Sequence, residues 1–196
     1  MATRRLDIPI LLGSVRRGRQ SARVARFLLG RMASDPSIDT RILDLREYDF
    51  PNMEERFRTR EDPPWGMAEF ADAIALADAV AIVTPEYNGG YPGALKNALD
   101  YLLPEFRRKP IGIVTVSATP FGGVSCLAQL RLVLLAMGAQ PIPVSLPIPK
   151  VEEVLDGRGG LIDRQYAKQA DRFIAELLWW AEAVAHQRAL DASREA

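Results

Sequence analysis

The chain has 196 residues, 48% of them hydrophobic and 26% charged, which is room for one domain with a full core and too little for two. Lys+Arg and Asp+Glu total 25 each, and that balance excludes a nucleic-acid binder, which needs a strong basic excess. One cysteine, Cys126, excludes a disulfide framework and a thiolate metal cluster within the chain.

The charge is nevertheless unevenly placed. From Met1 to Arg31 eight arginines accompany one acid, Asp7, about +7 by formal count. A local positive field on a neutral chain suits a small anion better than a long one. The most apolar stretch, Ala73–Val83, is interrupted by Asp78 and is too short to span a bilayer. No signal-peptide pattern follows the start, so the expectation is one cytoplasmic domain over residues 1–196 with no membrane partner.

In chain order, Leu6–Leu12 is a short apolar run ending at Gly13. Ser21–Met32 follows with Ala22, Ala25, Leu28 and Leu29 at helical spacing. Thr40–Leu45 alternates as a strand, Met67–Asp78 is Ala-rich and helical, and Ala79–Thr84 is an apolar strand stopped by Pro85. Pro92 suits the first helical position of a segment carrying Leu95, Leu99, Leu102 and Leu103, which Pro104 ends. Ile111–Val116 is strand-like, and Leu127–Met137 is a helix with Gly138 beyond its end. Gln140–Leu146 is the last strand, and Asp163–Ala185 the last helix. Tyr48–Trp65 and Pro147–Gly160 are irregular, either lids or plain surface connections.

Five alternations of strand and helix predict an α/β three-layer sandwich, a five-stranded parallel sheet in the order 2-1-3-4-5. Ligands of such sheets bind beyond the carboxyl ends of the strands, near the switch point. Three loops reach that edge. The first, Gly13 to Ser21, opens a helix whose free N–H groups and positive end bind phosphate. Ser14 and Ser21 add hydroxyls, and Arg16 adds charge-assisted bonds worth roughly 1.5–3 kcal/mol each. Gly13 and Gly18 imitate half of a nucleotide-triphosphate loop, but Arg19-Gln20 stands where that motif needs Lys-Ser/Thr. A tight turn with Ser21 as helix cap and solvated arginines is the plain alternative.

The second loop, Thr84 to Gly93, offers Tyr87 as a flat face, Asn88 as donor and acceptor, and two glycines for close approach. The third, Ser117 to Gly123, combines small residues, a Gly pair and Phe121. A Gly/Pro turn with aromatic packing is the plain reading of each. Their convergence on one rim favours function. His186 sits in the last helix with no partner motif, and no metal-ligand pattern appears. Cys126, near a helix start, is either a thiol of lowered pKa or an inert buried one.

These residues resemble the NADPH-dependent FMN reductase family, which includes quinone, azo-dye and chromate reductases. G-S-V-R-R-G-R-Q-S resembles its phosphate loop. P-E-Y-N-G-G-Y-P-G-A-L-K-N-A-L-D-Y-L, Pro85 to Leu102, resembles its flavin-ring loop and following helix; L-D-L-R-E-Y-D-F-P, Leu43 to Pro51, also fits. The likeness runs from about Ile10 to Gly138. It implies a flavodoxin-like fold, FMN as cofactor and NADPH or NADH as hydride donor. Ser14, Arg16, Gln20 and Ser21 would surround the FMN phosphate. Pro85, Glu86, Tyr87, Asn88 and Gly89 would border the isoalloxazine, and Ser117, Thr119, Gly122 and Gly123 would close its far side. The third loop departs from the family's fuller glycine pattern at Ala118, Thr119 and Pro120. The resemblance further implies a homodimer or homotetramer, built partly through the helix after the flavin-ring loop.

Hydride transfer through a flavin needs no protein nucleophile, and the sequence offers none. The arginines near the first loop favour NADPH over NADH, since a guanidinium forks onto a 2′-phosphate. Two other readings share the fold: an electron-carrier flavodoxin without a nicotinamide site, and a non-enzymatic nucleotide-binding module.

Overall fold

The computed structural model describes residues 4–195. The sheet is parallel throughout, because its successive strand positions are joined by crossover connections that carry helices. Its segments are β1 (Leu6–Asp7), β2 (Ile10–Leu12), β3 (Ile38–Asp39), β4 (Ile42–Asp44), β5 (Val80–Pro85), β6 (Pro110–Val116), β7 (Gln140–Pro141) and β8 (Leu146–Ile148). The helices are α1 (Ser21–Ala33), α2 (Leu45–Tyr48), α3 (Met67–Leu76), α4 (Gly93–Tyr101), α5 (Val124–Ala136), α6 (Val151–Val154) and α7 (Gln165–Glu195).

Five strand positions in the order 2-1-3-4-5 accommodate these eight segments. The extra segments come from three strands broken in two. β1 pairs with β3, and β2 with β4, across a gap at Pro9, which has no N–H to give. The ladder still runs on through that gap, since the Ile8 and Ile10 amides donate to Asp39 O and Arg41 O. Likewise β7 and β8 both pair with β6, at its start and its end, with Pro143 between them. The expected strand Gln140–Leu146 therefore extends two residues further, through Pro147, which the sequence had placed in a loop.

β5 and β6 lie in the middle and are buried on both faces, which is why they read as unbroken apolar runs rather than alternating ones. One core packs α1 and α7 on one face, around Leu28, Phe173 and Leu177. The other packs α3, α4 and α5 on the opposite face, around Phe70, Leu99 and Leu134. Each fully buried side chain of this size contributes about 1.5–3 kcal/mol by leaving water. Gly112 of β6 lets α7 approach closely, since a Cβ there would stand 2.5 Å from the Phe173 ring. Phe173, Leu177 and Ala181 form the buried stripe of α7; Trp180 is half-buried, Trp179 exposed, and His186 is on the surface.

The two irregular stretches are tied down. The Asn97 side chain accepts from Met53 N at 2.8 Å and donates to Pro51 O at 2.7 Å, while Tyr101 Oη donates to Pro51 O at 3.1 Å. Beyond α6, the Asp156 carboxylate accepts from the Arg158 and Gly160 amides, which hold it below the usual carboxylate range. Arg23 and Arg26 of α1 donate to backbone carbonyls of this turn.

Candidate functional site

The ends of β2, β5 and β6 lie side by side, so the three loops that follow them share one rim. A cavity of ≈ 240 Å³ opens among them, lined by Arg16 and Gln20 of the first, Pro85, Glu86 and Tyr87 of the second, and Ser117 of the third. Gly18, Arg19, Val116 and Ala118 complete it. The other seven expected residues (Ser14, Ser21, Asn88, Gly89, Thr119, Gly122 and Gly123) do not line it.

The first loop retains much unused hydrogen-bonding capacity. Among its amides, Gly13 N donates to Val83 O at 2.9 Å, Arg19 N to Arg16 O at 3.3 Å, and Arg16 N weakly to Ser14 Oγ at 3.4 Å. The amides of Ser14, Val15, Arg17, Gly18, Gln20 and Ser21 donate to no acceptor among the described residues. Gln20 stands at the cap position of α1 with helical φ and no side-chain cap, so the helix end is open. The buried Ser21 hydroxyl is also without a partner. An unpaired buried hydroxyl costs about 1–3 kcal/mol, which an acceptor oxygen of a bound ligand would offset. The capping role that the plain alternative assigned to Ser21 is not present.

Side chains bind the loops together. Ser14 is fully buried, its hydroxyl 2.8 Å from that of Tyr87. The exposed Arg16 guanidinium lies 5.9 Å from the Tyr87 ring centroid, in cation–π range. Gln20 donates instead to Glu152 of α6, at 3.1 Å. Asn88 and Gly89, at φ of 52° and 79°, form the centre of a turn closed by reciprocal Tyr87–Gly90 bonds. This is the type I′ geometry that Asn-Gly favours, and it explains the pair without a ligand. The Glu86 carboxylate accepts from Cys126 N at 3.0 Å, satisfying the start of α5. Cys126 is fully buried, the inert one of the two sequence alternatives, and burial with this carboxylate pushes its thiol up to about 12.

In the third loop, Ser117 Oγ accepts from Thr119 N at 2.9 Å, a local turn. Gly122 and Gly123 are buried against Pro147 and Thr115, so their small size serves packing. Arg19 and Asp44, which the sequence did not single out, meet here in a two-pronged ion pair. Asp44 ends β4 and caps α2, a position legible only once β4 is known to lie beside β2.

A profile of the NADPH-dependent FMN reductase family matches residues 6–153, which include all three loops. The chain belongs to that family. It is an NAD(P)H-dependent flavin oxidoreductase with FMN as cofactor. A quinone reductase of Escherichia coli K12 is 37% identical over 141 residues, covering 69% of this chain and 72% of its own. An NAD(P)H-dependent FMN reductase of Schizosaccharomyces pombe is 31% identical over 161 residues, covering 76% of each. In fold, the chain is similar to the flavoenzyme NAD(P)H:(acceptor) oxidoreductase FerB of Paracoccus denitrificans, with a TM-score of 0.74, 24% identity, and coverage of 91% and 98%. The flavodoxin-like reductase chain thus carries an open helix end and an unpaired hydroxyl, a donor set that fits the phosphate of FMN.

Proposed function

We propose that the rim holds FMN with its phosphate at the first loop, and that the chain passes hydride from NADPH to small oxidants such as quinones, azo compounds, chromate or free flavin. The observation that carries the reading is the buried Ser21 hydroxyl, without a partner beside six uncommitted amides at the start of α1. These donors would take the phosphate oxygens, and Arg16, without an ion pair among the described residues, would fork onto them. Bound FMN supplies the redox chemistry. Tyr87 would offer a flat face to the ring, with its own hydroxyl held by Ser14. Pro85, Glu86 and Ser117 would border the ring, with Glu86 keeping the rim in shape through Cys126 N. The roles of Asn88, Gly89, Thr119, Gly122 and Gly123 are those of the turns that shape the rim.

The cavity of ≈ 240 Å³ falls below the range of roughly 300–1,000 Å³ usual for enclosed ligand sites. Part of a tricyclic ring there stays open to solvent, which favours an enzyme of broad acceptor range. The quinone and azo classes follow the named activities of the relatives. NADPH is favoured over NADH because the exposed Arg17, without an ion pair among the described residues, is available to fork onto a 2′-phosphate.

We further propose a homodimer or homotetramer whose contact involves α5. Val124, Leu132 and Leu135 project from its exposed side and Phe121 from the loop before it, whereas α4 shows a Lys96–Asp100 ion pair. The requirement for NAD(P)H supports a cytoplasmic location. No helix among the described residues is long and apolar enough to cross a membrane.

The test is the absorbance of the purified protein before and after NADPH. Yellow protein that bleaches, and regains colour with a quinone or azo acceptor, is expected. Colourless protein that takes up no FMN overturns the reading. Arg16→Ala should weaken FMN binding by about 1–3 kcal/mol, against no change for riboflavin.

A further inference from the structure

Arg19 follows Gly18 in the first loop, where position alone marks it as a phosphate ligand. Three of its five N–H groups are committed elsewhere. Nη1 donates to Asp44 Oδ1 at 2.7 Å and to the Ser14 carbonyl, and Nη2 donates to Asp44 Oδ2. The pair is largely buried, the two side chains 11% and 15% exposed. We propose that Arg19 and Asp44 are a positioning pair, which shapes the first loop to receive a phosphoryl group without touching that group. The proposal rests on the reading that this loop holds the phosphate of FMN.

Each end of the pair is anchored. Asp44 closes the β4 ladder against Leu12, the last residue of β2, and accepts from Arg46 N at 3.0 Å to cap α2. Arg19 crosses the loop as a chord, from its own backbone to the carbonyl of Ser14 at the loop's start. That contact occupies a carbonyl oxygen whose partial negative charge would repel an anion. It also leaves the intervening amides of Val15, Arg17 and Gly18 without internal acceptors. The pair is neutral in sum, so it adds little field at the site; what it contributes is shape. Preorganised donors cost no rearrangement when the anion arrives.

A positioning role and a purely electrostatic one predict opposite signs for Asp44→Asn. If Asp44 acted only by charge, removing it would leave Arg19 free and tighten FMN binding. If the pair positions the loop, FMN binding weakens, because the guanidinium is no longer held in place.

The experiment measures dissociation constants of FMN and riboflavin by flavin fluorescence for wild type, Arg19→Gln, Asp44→Asn, the double variant and Arg19→Lys. Thermal melts accompany each. Arg19→Gln and Asp44→Asn should each weaken FMN by about 10-fold, the scale of outer-shell partners, with riboflavin unchanged. The double variant should fall no further than either single one, since one loop shape is lost in all three. Equal or tighter FMN binding by Asp44→Asn overturns the proposal, as does an equal loss of FMN and riboflavin. Should those variants fail to fold, Arg19→Lys decides, because it keeps the charge and one donor. A selective loss of FMN affinity supports the pair, and a wild-type FMN-to-riboflavin ratio refutes it. If wild-type protein itself binds FMN no more tightly than riboflavin, the phosphate reading fails instead, whatever the variants do.

Discussion

The hydroxyls of Ser14 and Tyr87 lie 2.8 Å apart, and this one bond joins the loop after β2 to the loop after β5. Ser14 is fully buried, and its hydroxyl's only other hydrogen bond among the described residues is the 3.4 Å donation from Arg16 N. Tyr87→Phe should therefore destabilise the fold by about 1–3 kcal/mol, the cost of leaving a buried hydroxyl short of a partner. Urea unfolding measures it. A double cycle with Ser14→Ala should show coupling, and strict additivity would argue that the bond contributes nothing.

Arg17 is exposed and has no hydrogen bond or ion pair among the described residues, whereas Arg19, Arg23 and Arg26 are engaged by Asp44 or by carbonyls. With Arg16 assigned to the phosphate of FMN, the arginine cluster read from the sequence thus narrows to Arg17 as the ligand for a 2′-phosphate. Arg17→Ala should lower kcat/KM for NADPH by about 10-fold, one charged bond's worth, and leave NADH turnover in place. Equal loss with both nucleotides would remove Arg17 from that role.

The thiol of Cys126 ordinarily ionises at 9.0, and burial, followed by the nearby Glu86 charge, pushes it up to about 12. Between those values the unfolded chain releases a proton that the folded chain keeps, so this group makes stability fall as pH rises from 9 toward 12. Cys126→Ala should remove that share of the decline in melting temperature. At pH 8 iodoacetamide should leave Cys126 unmodified in folded protein and label it in urea; rapid labelling of folded protein would contradict the buried placement.

Leu132 and Leu135 lie on the outer side of α5 at 69% and 57% exposure. Leu132→Glu should shift the protein to a monomer in sedimentation experiments with its melting temperature little changed, since an exposed side chain carries little core packing. A variant that sediments as wild type would move the contact away from α5.

The strand order was legible because it needs only hydrophobic runs, their spacing and the handedness of crossovers. β5 and β6 are buried on both faces and read as continuous apolar segments, so their borders came within a residue or two. The breaks at Pro9 and Pro143 were harder. A proline interrupts a ladder locally while its neighbours go on pairing, as Ile10 N and Ile142 N do. Pro92 lies at the cap of α4 rather than inside its first turn, the ordinary uncertainty of one residue at a helix end.

Site residues divide along the same line. Ser21 could be placed at a helix start from sequence, but that its hydroxyl lacks a partner is a fact about everything packed around it. The Asn88-Gly89 pair carried its turn type in its composition. Glu86 did not carry its partner, because Cys126 N lies 40 positions away and reaches it only when β5 and β6 align.

Local chemistry alone therefore determined the alternating elements, the shared edge of three loops and the concentration of arginines beside it. Tertiary structure decided which of those charges are left without a partner. Periodicity and turn propensity act over a few residues and survive in any context. An arginine's partner, by contrast, is whichever acceptor the fold brings near, and for Arg19 that acceptor is Asp44, 25 positions along the chain and one strand away.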